Sequence, residues 1–153
     1  MRRFLTILLA AFALTSWAAA QEQLTVSVAA PKGITDGNTA SVLVSNLRQA
    51  LVLNDAASDN SRYVLSSAVS VLSKDVTATA PPRYITDIEV SLFIIDSVSG
   101  EYLSQTSLTV KGIASNDKAS LLDAVKKIKA RDPSLRRLIS QARDAYNQKN
   151  QQL

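Results

Sequence analysis

From Tyr84 to Asp96 the chain alternates, with Ile88, Val90, Leu92 and Ile94 on one parity. Period-two alternation marks a strand with one buried face. A second alternating run follows the turn-forming stretch Val98-Ser99-Gly100, and this pair of runs constrains the fold more than any other feature. A two-residue turn at Ser99-Gly100 would set Val90 opposite Thr109 and Leu92 opposite Ser107, with the apolar faces out of phase. A three-residue loop, Val98 to Gly100, instead sets Ile88 opposite Val110, Val90 opposite Leu108 and Leu92 opposite Thr106. It also puts Gly100 where the hairpin needs a left-handed backbone. Alternation and turn chemistry agree on one register, and so predict an antiparallel hairpin.

Around that hairpin the rest of the chain divides by period. Leu24, Val26, Val28 and Ala30 alternate with polar or small residues up to Pro31, which predicts a strand. Ala40, Leu43, Val44, Leu47 and Leu51 fall on one side at helical spacing, so Asn38 to Leu53 is predicted as a helix capped near Asp36 or Asn38. Asn54 to Ser61 is a polar connector. Tyr63 to Val76 carries apolar residues on both parities, which predicts a central strand covered on both faces. Pro81 and Pro82 interrupt it. After the hairpin, Leu121, Ala124, Val125 and Ile128 predict a helix from Lys118 to Ala130. Asp132-Pro133 then restarts a helix whose apolar face is Leu135, Leu138, Ile139, Ala142 and Tyr146, with a tail from Asn147 predicted to fray. The order β-α-β-β-β-α-α predicts an α+β fold, a mainly antiparallel sheet with helices packed against it.

Arg2 and Arg3 precede the apolar run Phe4 to Leu14, which leads to Ala18-Ala19-Ala20. This pattern predicts a signal peptide over residues 1–20, cleaved after Ala20. The run is shorter than the roughly 20 residues of a membrane span, and no second apolar span follows. Residues 21–153 are then one domain, placed in the periplasm or secreted. With no cysteine in the chain, packing alone must hold it in an oxidising compartment.

The net charge of +4 includes Arg2 and Arg3, so about +2 remains after cleavage. From Lys126 onward eight cations face only Asp132 and Asp144, whereas 21–125 is net acidic. The chain therefore has a basic carboxy-terminal helix, with Arg136, Arg137 and Arg143 predicted to point away from the sheet; they are the candidate partner contacts, although a merely solvated basic face is the commoner case. Nucleic acid is a poor fit, because export removes it and aromatic stacking partners are few. An envelope protein or an anionic envelope polymer is the partner class that remains. The oligomeric state is not readable.

Histidine and cysteine are both absent, which removes the usual near-neutral base, the thiolate nucleophile and the common zinc ligands. Ser115-x-x-Lys118 has the spacing of a lysine-activated serine, but its simpler reading is that Ser115, Asn116 or Asp117 caps the following helix. Asp87 and Glu89 share a strand face and could act as paired carboxylates, although solvated strand charges are commoner. Asn54, Asp55, Asp59 and Asn60 lack the ligand alternation of a calcium loop. The glycines of Pro31 to Asn38 lack the lysine and hydroxyl of a phosphate cradle. No metal, cofactor or catalytic residue is assigned.

The strand, helix and polar connector, followed by strands ending in IIDSVSGEYLSQTSLTV, resemble the periplasmic α/β module of TolB amino-terminal domains and the curli secretion-channel family. There an Asp-x-x-x-Gly-Glu-like hairpin recurs, here Asp96 to Glu101. The phrases LSKDVTATAPPR, LTVKGIASNDKASLLDAVKKI and DPSLRRLISQARDAY, within roughly 63–146, resemble uncharacterised secreted proteins of gut anaerobic bacteria. Those proteins often continue into further domains, whereas this sequence stops at Leu153. The resemblance implies a cell-envelope accessory or assembly component and transfers no catalytic residue. The expected function is thus non-catalytic binding in the envelope, and the alternative is a glycan hydrolase using paired carboxylates.

Overall fold

The structure, a computed structural model, describes residues 23–152. The predicted signal peptide and its cleavage site lie outside the described residues. The elements run β1 (Val26–Val28), α1 (Gly37–Leu53), β2 (Tyr63–Val76), β3 (Tyr84–Asp96), β4 (Tyr102–Ala114), α2 (Asp117–Lys126) and α3 (Pro133–Gln151). This is the predicted α+β order. The sheet is β1-β2-β3-β4, with β1 parallel to β2 and the other pairs antiparallel.

The hairpin pairs Ile88 with Val110, Val90 with Leu108 and Leu92 with Thr106, the predicted register. Its loop is built differently. Asp96 N–H donates to the Glu101 carbonyl at 2.9 Å, so four residues, Ser97 to Gly100, turn the chain. Leu103 is then skipped between the Ile94–Ser104 and Ile95–Tyr102 pairs, and this bulge restores the phase. Gly100 has φ +74°, as the turn requires.

On β3 the residues Thr86, Ile88, Val90, Leu92, Ile94 and Asp96 are buried and their neighbours from Ile85 to Ile95 are only partly so. The buried face meets α2 and α3, while α1 lies beside β1 and touches both other helices. Leu43, Leu47 and Leu51 of α1 join Leu135, Leu138 and Ile139 of α3 in one core with that sheet face. The opposite sheet face carries no helix among the described residues.

Three expectations are corrected. β2 is not covered on both faces: Leu65, Ser67 and Val69 are buried, Val64, Ser66 and Ala68 are partly exposed, and Ser70–Val76 runs on into solvent. The apolar even residues Val64 and Ala68 stand on the helix-free face, and the register shift between Val71 and Ser73 moves the core-facing side from odd to even positions only beyond them. α2 stops at Lys126 rather than Ala130, although Ile128 remains buried on the turn that follows. The tail from Asn147 does not fray at once, since α3 continues to Gln151 and Lys149 pairs with Glu101.

α2 comes close to β4 at one place. A Cβ on Gly112 would stand 1.8 Å from the Ser120 carbonyl oxygen and 2.5 Å from Ala124 N. Next to it Thr86 and Ser120 share a buried hydroxyl hydrogen bond of 2.6 Å. Only a residue without a side chain lets the helix backbone settle there.

Candidate functional site

α3 begins as its sequence dictates, with Asp132 accepting from Ser134 N at 2.8 Å and Pro133 in the first turn. Its predicted apolar face, Leu135, Leu138, Ile139, Ala142 and Tyr146, is buried throughout. Arg136 and Arg137 are exposed. Arg136 borders a depression of about 270 Å³ whose other walls are Leu53, Asn54, Ala130 and Arg131. None of the ion pairs among the described residues involves Arg131, Arg136 or Arg137.

Arg143 departs from the predicted outward position. It is half-buried, and its Nη2 donates to the Asn54 carbonyl at 2.6 Å. Two helical turns do bring Arg136 and Arg143 onto nearly one line. That line passes beside the end of α1, where carbonyls without helical partners attract a guanidinium. Arg143 is therefore a packing residue first.

α1 closes there with Asp55 at φ +55°, Asp55 N–H reaching Val52 O at 3.1 Å and Ala56 N–H reaching Leu51 O at 2.9 Å. This pair of bonds is a Schellman closure. It suits Asp55, whose short polar side chain tolerates the left-handed backbone, and Asn54 Nδ2 donates to the Ala50 carbonyl at 2.7 Å.

A second concavity, about 450 Å³, lies where the starts of α1 and α2 meet the outer halves of β2 and β3. Asp36, Lys74, Asp117 and Lys118 line it together with Val71 and Thr86. Two of its polar groups, Asp36 and Lys118, are already engaged. Asp36 caps α1 by accepting from Thr39 N at 3.0 Å and Thr39 Oγ1 at 2.7 Å, and Lys118 stands 3.2 Å away. The Thr39 bonds, and then Lys118, hold the Asp36 carboxyl below its usual range. A general acid needs the opposite displacement. Asn116 caps α2 by accepting from Ala119 N at 2.8 Å, so Lys118 serves Asp36 and the cap is Asn116 rather than Ser115.

Asp87 and Glu89 lie on the helix-free sheet face. Asp87 accepts from Ser73 Oγ at 2.9 Å and stands 3.8 Å from Lys111 Nζ. The arrangement is that of a cross-strand polar ladder.

The most heavily bonded carboxylate is Asp96, which the sequence supplied only as part of a turn phrase. Its side chain is fully buried; Arg62 donates to both oxygens at 2.8 and 2.7 Å, and Val98 N–H adds a bond of 3.0 Å. The Arg62 bonds, outweighing the cost of burial, hold Asp96 well below the usual carboxylate range. Arg62 also stacks over Tyr63, which meets Tyr146 edge-on at 5.4 Å between ring centroids. This cluster ties the hairpin turn to α3.

Neither a protein-family model nor a curated protein matches the sequence. Solved structures of the same fold do. One is a Xanthomonas campestris protein of the DUF330 family, 17% identical over 86% of this chain and 90% of that one, with a TM-score of 0.52. Another is a minor lipoprotein from Acinetobacter baumannii, 16% identical over 77% of this chain and 92% of that one, with a TM-score of 0.52. A third is a homolog of neuraminyllactose-binding hemagglutinin from Helicobacter pylori, 8% identical over 86% of this chain and 87% of that one, with a TM-score of 0.50. These likenesses establish the fold. They are not to TolB or curli-secretion modules, the families that the wording of the hairpin resembles. No helix among the described residues is long and apolar enough to cross a membrane.

Proposed function

We propose that the protein is a non-catalytic accessory component of the bacterial cell envelope that acts by binding. Its contact surface is the start of α3, where Arg136 and Arg137 meet an anionic envelope polymer or the acidic face of an envelope protein. The observation that carries this reading is the group Arg131, Arg136 and Arg137, exposed and without carboxylate partners among the described residues, beside a depression walled by Leu53. Exposed cations beside a partly apolar depression suit a polyanion better than a small neutral ligand. The signal expected over residues 1–20 would deliver the protein to that compartment, and one neighbour of the fold is named a lipoprotein. The hydrolase alternative loses ground because Asp87 is engaged by Ser73 and Lys111. The test is co-sedimentation with envelope fragments for the wild type and the double variant Arg136→Glu, Arg137→Glu. Loss of a salt-sensitive attachment supports the reading, and unchanged attachment removes it.

A further inference from the structure

Among the described residues, most of the sheet's outer edge is bonded by the chain itself or broken by a bulge and charge, and one stretch of β4 is neither. At β1, Val26 N–H donates to Ala56 O at 2.7 Å and Val26 O accepts from Ser58 N–H at 3.0 Å, so that edge is occupied. Along β2, Leu65, Ser67 and Val69 bond to Ala29 and Lys32, and farther out the bulge before Ser73 and the charge of Lys74 disrupt a flat edge. At the far end of β4, Ile113 N–H donates to Asp123 of α2 at 2.9 Å, and the Lys111 carbonyl accepts from Lys127.

Those last two bonds show which way the β4 backbone faces. Odd-numbered residues direct N–H and C=O outward, while even-numbered residues bond to β3. Between the Leu103 bulge and the sealed Lys111, the outward residues are Gln105, Ser107 and Thr109. Their backbone groups have no partner among the described residues. The segment from Leu103 to Val110 carries no charge, and Leu108 and Val110 on its core side are only partly buried. The devices that protect an exposed edge are missing here.

We propose that β4 pairs antiparallel with β4 of a second copy about a two-fold axis through Ser107. The free outward set is symmetric about that residue, so Ser107 faces the partner's Ser107 and Gln105 faces the partner's Thr109. A register centred on Thr109 would bring Ser107 against the sealed Lys111, and one centred on Gln105 would bring it against the bulge at Leu103. Registers centred on Thr106 or Leu108 would engage only two of the three free residues, so the Ser107 register alone uses the whole set, the self-complementarity that a two-fold interface requires. About six backbone hydrogen bonds form, and the two four-stranded sheets join with their helices on the same side. Leu108 is then covered by the partner's Thr106. A different protein strand could bond to the same edge, but the symmetry of the free set favours a second copy.

The test uses protein recovered from the periplasm of a bacterial host. Sedimentation over a wide concentration range is expected to show a monomer–dimer equilibrium. Ser107→Pro removes only an outward N–H, so it should leave the circular dichroism unchanged and weaken the dimer by about tenfold or more. The chain has no native cysteine, so Ser107→Cys alone should form a disulfide dimer rapidly under mild oxidation. Gln105→Cys alone should not, whereas Gln105→Cys mixed with Thr109→Cys should. A monomer at every concentration, or equal cross-linking of the Ser107 and Gln105 variants, would overturn the proposal.

Discussion

Arg62 closes over Asp96 with two parallel hydrogen bonds, and Asp96 is fully buried beneath it while the Arg62 side chain is 53% exposed. Arg62 also accepts from Ser97, through N–H at 2.9 Å and Oγ at 2.6 Å, so the pair ties the start of β2 to the hairpin turn. Because the folded-state pKa of Asp96 is depressed, its contribution is fully present above the unfolded value of about 3.9 and is lost as pH falls through the folded value. Acid unfolding of the wild type should therefore steepen only below about pH 4. Arg62→Ala leaves a buried carboxylate without its cation, so its acid transition should move to higher pH and its Tm at neutral pH should drop. Circular dichroism against pH checks both.

The hairpin register predicts unequal responses at adjacent positions. Leu108 lies on the core side opposite Val90, and Thr109 is exposed opposite Glu89. Leu108→Asp should cost about 2–3 kcal/mol, because a charge enters a half-buried apolar site. Thr109→Asp should cost under about 1 kcal/mol, including its repulsion from Glu89. Urea denaturation at low protein concentration separates them, and equal losses would mean that β4 buries both faces.

Much of this was legible because period and turn chemistry act locally. Ile88 to Ile94 and Leu135 to Tyr146 sit where their spacing puts them, since one-sided burial writes itself into the sequence. The bulges at Leu103 and between Val71 and Ser73 were not legible, because each swaps strand faces without a residue type that demands it. Arg143 was misread for a related reason. Helical angle places it beside Arg136, but only the packing of α1 against α3 brings the Asn54 carbonyl to it. The Arg62–Asp96 pair joins residues 34 apart, a separation with no periodic signature. Gly112 carried the one overlooked signal, a glycine within an otherwise regular strand, which often marks a close backbone approach.

That close approach makes Gly112→Ala a sharp test of how α2 is held. The new methyl would overlap the Ser120 carbonyl and Ala124 N, so the helix must lift and the Thr86–Ser120 bond must stretch or break. A loss of about 2–4 kcal/mol is expected. Hydrogen exchange should quicken in α2 more than in α3, and uniform quickening would show that α2 does not depend on this contact.

The start of α2 distinguishes a cap from a nucleophile. Asn116 accepts from Ala119 N, so Asn116→Ala should cost about 1 kcal/mol, and Ser115→Ala less than about 0.5 kcal/mol. Thermal denaturation ranks them. Covalent labelling of Ser115 by a β-lactam would contradict a purely structural role for the Ser115–Lys118 spacing.

The arginines of α3 divide into two classes, and the division can be measured. Arg136 and Arg137 are exposed, so changing both to Glu should alter stability by less than about 1 kcal/mol. Arg143→Glu should cost about 2 kcal/mol or more, because it removes the donor from Asn54 O and sets a negative charge against the carbonyl end of α1. Binding is expected to follow the opposite order. The double change at Arg136 and Arg137 abolishes attachment to envelope fragments at low salt, whereas Arg143→Lys, which keeps the charge and a donor, retains it. If Arg143→Lys lost attachment while the Arg136 and Arg137 variant kept it, the contact would lie on the α1 side of α3 and the start of the helix would be an ordinary solvated face.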